Sequence, residues 1–107
     1  MFSLLALMMQ GPVFDIEWIE ERAQLRGAWE RCVQLRVVEM THLDRMPSVI
    51  AAQAMATCQV ARGAYKYKVA SIAKDEGEVA IKMAEADSAI HREATRWAAI
   101  EKGNLSH

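Results

Sequence analysis

Apolar residues recur at steps of three and four through most of this chain, and that spacing predicts helices rather than strands. Ile16, Ile19 and Ala23 are followed by Leu25, Trp29, Cys32 or Val33, Val37, Met40 and Leu43. Asp15 is a candidate N-cap, and the acids Glu17, Glu20 and Glu21 precede the bases Arg22, Arg26, Arg31 and Arg36, an order that suits the helix dipole. A helix is expected over 14–44, with a bend at Gly27. Asp44-Arg45-Met46-Pro47-Ser48 reads as a turn, because Pro47 fits the first turn of a new helix and disfavours the α conformation at Met46.

The second helix, expected over 47–75, carries two apolar stripes. One is Ile50, Ala54, Cys58, Ala61, Tyr65, Val69 and Ile72; beside it run Val49, Ala52, Ala56, Val60, Gly63 and Ala70. Small residues let helix backbones approach closely, so this helix is expected to meet neighbours on two sides. Asp75-Glu76-Gly77-Glu78 marks a second turn, with Asp75 and Glu78 spaced as in a capping box. A third helix over 76–102 follows, with the stripe Val79, Met83, Ala86, Ile90, Ala94 and Trp97 and a stop at Gly103-Asn104. One uninterrupted helix over 47–102 competes with this division, since Gly77 costs a helix only about 1 kcal/mol.

The expected fold class is all-α: an up-down helical hairpin or bundle of about three long helices in a single domain over 1–107, completed by self-association. Within one chain, three helices leave the second stripe, Trp18 and the apolar arm over 1–12 without cover. If the first two helices fold back at Asp44–Pro47, Cys32 and Cys58 stand at equal distances from the turn and face one another across the seam. Packed helix axes lie about 8–10 Å apart, wider than a disulfide's usual Cα separation, so the two are expected to be neighbouring, buried and reduced.

Composition changes this picture little. The 107 residues are 52% hydrophobic and 25% charged, a globular balance, with only two prolines and five glycines to interrupt helices. Thirteen basic and fourteen acidic residues give a net charge of −1, so charge does not direct the chain to nucleic acid or an anionic membrane. Neither cysteine belongs to a C-x-x-C pair, and two are too few for a disulfide framework. Phe2–Met9 is apolar apart from Ser3, but a bilayer span needs about 20 residues and no basic start or small-x-small cleavage site accompanies it. No transmembrane span or secretion is expected, and the expected location is cytoplasmic or virion-associated.

Four constellations bear on chemistry. Glu39-Met40-Thr41-His42 is an E-x-x-H step, half of the carboxylate–imidazole set that di-iron bundles use. Arg36 and His42 have an R-x5-H spacing that resembles the Arg–His pattern of the HEPN ribonucleases, which are small helical bundles; the resemblance would have Arg36 and His42 hold and activate an RNA phosphate. Val37 departs from the polar residue that usually follows the arginine in that family. Asp87 and His91 stand one helical turn apart and can pair on a helix surface. Tyr65-Lys66-Tyr67-Lys68, with Arg62 a turn earlier, alternates aromatic and basic groups as single-strand binders do, but on a helix these side chains fan out.

No catalytic set, cofactor or metal follows from these fragments, and no nucleic acid is expected. The residues expected to meet a protein partner are Phe2, Leu4, Leu5, Phe14 and Trp18, the last as a partly exposed aromatic anchor. The expected function is a non-catalytic helical interaction module, a self-associating assembly or adaptor subunit of the kind found in phage or secretion-type apparatus. The alternatives are a helical inhibitor or immunity protein, and a small enzyme or metal protein using Glu39 and His42 or Arg36 and His42.

Overall fold

A computed structural model describes the backbone over 10–105 and the side chains over 19–103. The described residues are helical, with no strand, and form α1 (Gln10–Met40), α2 (Pro47–Ala56), α3 (Gln59–Ile72) and α4 (Glu76–Leu105). α1 starts before the expected Asp15 cap, because Pro12 sits in its first turn, where a helix needs no N–H donor. It ends at Met40, earlier than expected, and Leu43 N–H closes a turn onto the Met40 carbonyl. Lys102 Nζ donates to the Leu43 carbonyl at 2.8 Å and ties the end of α4 to this turn.

The helix expected over 47–75 is two helices. α2 stops at Ala56 and α3 resumes at Gln59, although nothing between them is proline or glycine. Side chains help to satisfy the carbonyls at the stop. Thr57 Oγ1 and Thr57 N–H both donate to the Ala54 carbonyl, and the Met55 carbonyl receives Cys58 N–H and Gln59 Nε2. The last carbonyls of α2 thus find local partners in place of the next helical turn.

The break before α4 is the expected one. Glu78 N–H donates to Asp75 Oδ1 at 2.8 Å, and Glu78 Oε2 reaches back to Lys74 N–H at 3.2 Å. This is a capping box with its return bond one residue early. At the far end α4 runs through Gly103, which has no positive φ, so the expected stop there is passed.

α1 runs antiparallel to α2–α3, and α4 runs antiparallel to α2–α3 in turn. Cys32 on α1 lies beside Cys58, and Glu21 pairs with Lys68 further from the turn. The core sits along the shared seam: Trp29, Val33 and Val37 from α1, Ile50, Ala51 and Ala54 from α2, Tyr65 and Val69 from α3, and Met83, Ala86, Ile90, Ala94 and Ala98 from α4. Trp29 and Tyr65 pack with ring centroids 5.6 Å apart, and the Arg26 guanidinium lies over the Tyr65 ring at 5.7 Å. Val79 and Trp97, expected on the core stripe, are half-buried at its edge.

Cys32 and Cys58 are adjacent as expected but not reduced: they form a disulfide, with Cα atoms 6.0 Å apart. The correction is geometric. Cα atoms lie on a cylinder of about 2.3 Å radius, so facing Cα atoms approach several ångströms closer than the helix axes do. Cys58 is 2% exposed and Cys32 is half-buried. No helix among the described residues is long and apolar enough to cross a membrane.

Candidate interaction surface

The residues that suggested chemistry do not come together. Glu39 accepts a hydrogen bond from Arg36 at 2.8 Å on an exposed face of α1, and His42 is exposed in the turn that follows. Both the E-x-x-H step and the R-x5-H pair are therefore surface features near a helix end. Among the described residues, no group of three or more His, Cys, Asp or Glu side chains is placed to hold a metal ion.

Asp87 does not orient His91. It receives two bonds from Arg62, Nε to Oδ1 at 2.8 Å and an NH2 nitrogen to Oδ2 at 2.7 Å, which joins α3 to α4. These bonds raise the proton affinity of Arg62 above its ordinary value, against the opposing effect of partial burial. His91 Nε2 lies 3.1 Å from the Ser48 carbonyl at the start of α2. Sequence reading missed the Arg62–Asp87 pair. Its signal was register: the two lie at nearly equal distances from the turn over 73–75.

The aromatic–basic alternation is divided between faces. Tyr65 is enclosed in the core, Lys68 pairs with Glu21, and Lys66 and Tyr67 face out. Of the residues expected to bind a partner, Phe2, Leu4 and Leu5 lie outside the described residues. Phe14 and Trp18 belong to α1, and their side chains lie outside the described ones.

The two stripes expected on the second helix have opposite fates. The first is enclosed through Ile50, Ala54, Cys58, Tyr65 and Val69, with Ala61 half-buried against them; Ile72, at the end of α3, is exposed. Every member of the second, Val49, Ala52, Ala56, Val60, Gly63 and Ala70, is exposed. Val60 is 91% exposed, and Tyr67, one helical turn beyond Gly63, is 79% exposed. Ala64 and Ser71 continue the same face of α3, so it carries no charge from Val60 to Ser71, with Lys66 at its border.

Gly63 adds a separate observation. A Cβ built on it meets nothing within 4 Å. Glycine inside a helix costs about 1 kcal/mol relative to alanine, and no contact within this chain requires its small size.

Beside this face, Lys66 and Ala70 of α3 and Ala80 and Ala84 of α4 border a groove floored by Val79 and Met83, with the Arg62–Asp87 pair at one end. Ala52 and Ala56 line a shallower groove that continues along α2 towards His91. The exposed stripe thus borders grooves walled partly by alanine, with Lys66, Glu76 and the Arg62–Asp87 pair as their charged groups. The chain matches no protein-family model, no curated protein and no solved structure.

Proposed function

We propose that this chain is a non-catalytic helical interaction module that associates with a second copy of itself through the outer face of α2 and α3. The observation that carries the reading is the exposure of the whole second stripe, from Val49 to Ala70. Scattered apolar residues on a protein surface are ordinary, but a charge-free row along the outer faces of two consecutive helices is the pattern of a contact surface. The small size of Ala52, Ala56, Gly63 and Ala70 suits close helix–helix approach, and Val60 and Tyr67 supply the larger apolar groups that such a contact buries.

Val49 and Ala56 on α2, and Gly63 and Ala70 on α3, each stand seven residues apart, the spacing that keeps a helix face turned to a partner helix. Such a surface suits a building block of a larger assembly, an adaptor or structural subunit, whose work is done by contact.

Sedimentation equilibrium tests this reading on the wild type and on Val60→Glu and Ala56→Arg. The wild type is expected to self-associate with rising concentration. Both variants are expected to remain folded and to shift to monomer, because each places an unpaired charge in the contact. A wild type that stays monomeric at millimolar concentration, or variants that associate unchanged, would contradict it.

A further inference from the structure

We infer that the Cys32–Cys58 disulfide is a thiol-controlled switch that holds open the break between α2 and α3 and thereby sets the shape of the docking face. The proposed role in docking rests on the self-association reading above; the switch itself stands on other observations. Between Ser48 and Ile72 the residue least suited to a helix interior is Gly63, yet the helix runs through Gly63 and stops at Thr57–Cys58. The interruption falls at the residue covalently tied to α1 and not at the glycine.

The backbone shows what the break removes. Cys58 has φ −110° and ψ 34°, outside the α-helical range. Thr57 and Cys58 N–H bond the carbonyls of Ala54 and Met55, three residues back, and the four-back pattern resumes with Arg62 N–H on the Cys58 carbonyl. Between them, the N–H groups of Gln59, Val60 and Ala61 make no backbone bond across the break. A continuous helix would give these three N–H groups the carbonyls of Met55, Ala56 and Thr57. The Gln59 amide bond to the Met55 carbonyl gives way to the Gln59 N–H once Cys58 is free to turn with its neighbours, and a threonine hydroxyl on a carbonyl one turn back, as at Thr57, is also found inside α4 at Thr95.

The consequence reaches the stripe. Val49, Ala52 and Ala56 lie before the break, and Val60, Gly63 and Ala70 lie after it. A straight helix sets Val49, Ala56, Gly63 and Ala70 on one ridge with a drift of about 20° per heptad; an interrupted one displaces the two halves. Reduction therefore aligns the ridge and tightens self-association.

The chemistry needs an external dithiol. One of its thiolates attacks Sγ of Cys32, the less buried residue of the pair, and forms a mixed disulfide; Cys58 leaves as thiolate and takes a proton. The second thiolate of the reagent then displaces Cys32. Two electrons and two protons pass to the chain, and the reagent leaves as a cyclic disulfide.

Amide hydrogen exchange by NMR on the full chain, with and without dithiothreitol, tests the switch. Reduction is expected to slow exchange at Gln59, Val60 and Ala61 by about tenfold or more while α1 and α4 keep their protection. Cys32→Ser with Cys58→Ser is expected to match the reduced wild type. Sedimentation equilibrium in parallel is expected to show association tightened by about fivefold or more, about 1 kcal/mol. Unchanged protection at the three amides overturns the switch whatever the association state. Protection lost together across α1 and α3 also overturns it and makes the bond a plain staple. Raised protection with a monomer in both redox states supports the switch and overturns the docking reading.

Discussion

Replacing Gly63 with alanine separates the stability of the helix from the strength of docking, because the two respond in opposite directions. Position 63 lies inside α3, is exposed, and has no atom within 4 Å of an added Cβ. Alanine is favoured over glycine in a helix interior by about 1 kcal/mol, so the isolated chain gains up to that amount. For a domain of roughly this size the gain raises the Tm by about 4–8 °C. The same methyl projects from the docking face. Forcing one carbon into a well-packed contact costs about 1–3 kcal/mol, which weakens association by about fivefold or more. Thermal unfolding followed by circular dichroism in dilute solution reads the first effect, and sedimentation equilibrium reads the second. A stabilised variant that associates as tightly as wild type would refute the placement of the contact at Gly63. A destabilised one would refute the statement that position 63 opens onto free space.

Three further outcomes test the fold around that face. Ile90→Ala, at a position 1% exposed, is expected to cost about 2–5 kcal/mol in urea unfolding; a loss below about 1 kcal/mol would place α4 wrongly. Asp87→Ala is expected to cost about 1–3 kcal/mol by leaving Arg62 half-buried without its carboxylate, and Arg62→Ala combined with Asp87→Ala less than the sum of the two single losses; strictly additive losses would show that the pair is not coupled. Asp75→Ala is expected to cost about 0.5–2 kcal/mol and to speed amide exchange at Glu78, whose N–H it caps; unaltered exchange there would contradict the cap.

Much of the fold is legible in the sequence because it follows from spacing. The three-and-four steps of Trp29, Val33 and Val37 and of Met83, Ile90 and Ala94 identify the buried faces, and Pro47 and Asp75 mark two of the breaks. Counting outward from the Asp44–Pro47 turn puts Cys32 beside Cys58. The Thr57–Cys58 break is not legible, because neither residue is a helix breaker and the tie from Cys58 to α1 is a contact across the fold. The Cys32–Cys58 bond is not legible from the spacing of helix axes, because facing Cα atoms lie several ångströms closer than the axes do. Asp87 was given to His91, its neighbour on the helix, when its partner Arg62 stands across the turn. The second stripe is legible residue by residue, and its lack of cover within one chain follows from the number of helices available to pack on it. Phe2, Leu4 and Leu5 lie outside the described residues.

The central claim, that the outer face of α2 and α3 meets its counterpart on a second copy, is tested most directly by isotope-filtered nuclear Overhauser spectroscopy. The sample is an equal mixture of labelled and unlabelled chains at a concentration where dimers predominate. The account predicts intermolecular contacts from the methyl groups of Ala56, Val60 and Ala70 and from the Tyr67 ring, all on the exposed face. Intermolecular contacts confined to other exposed apolar residues, such as Leu35 on α1 or Ile81 and Ile100 on α4, would contradict it.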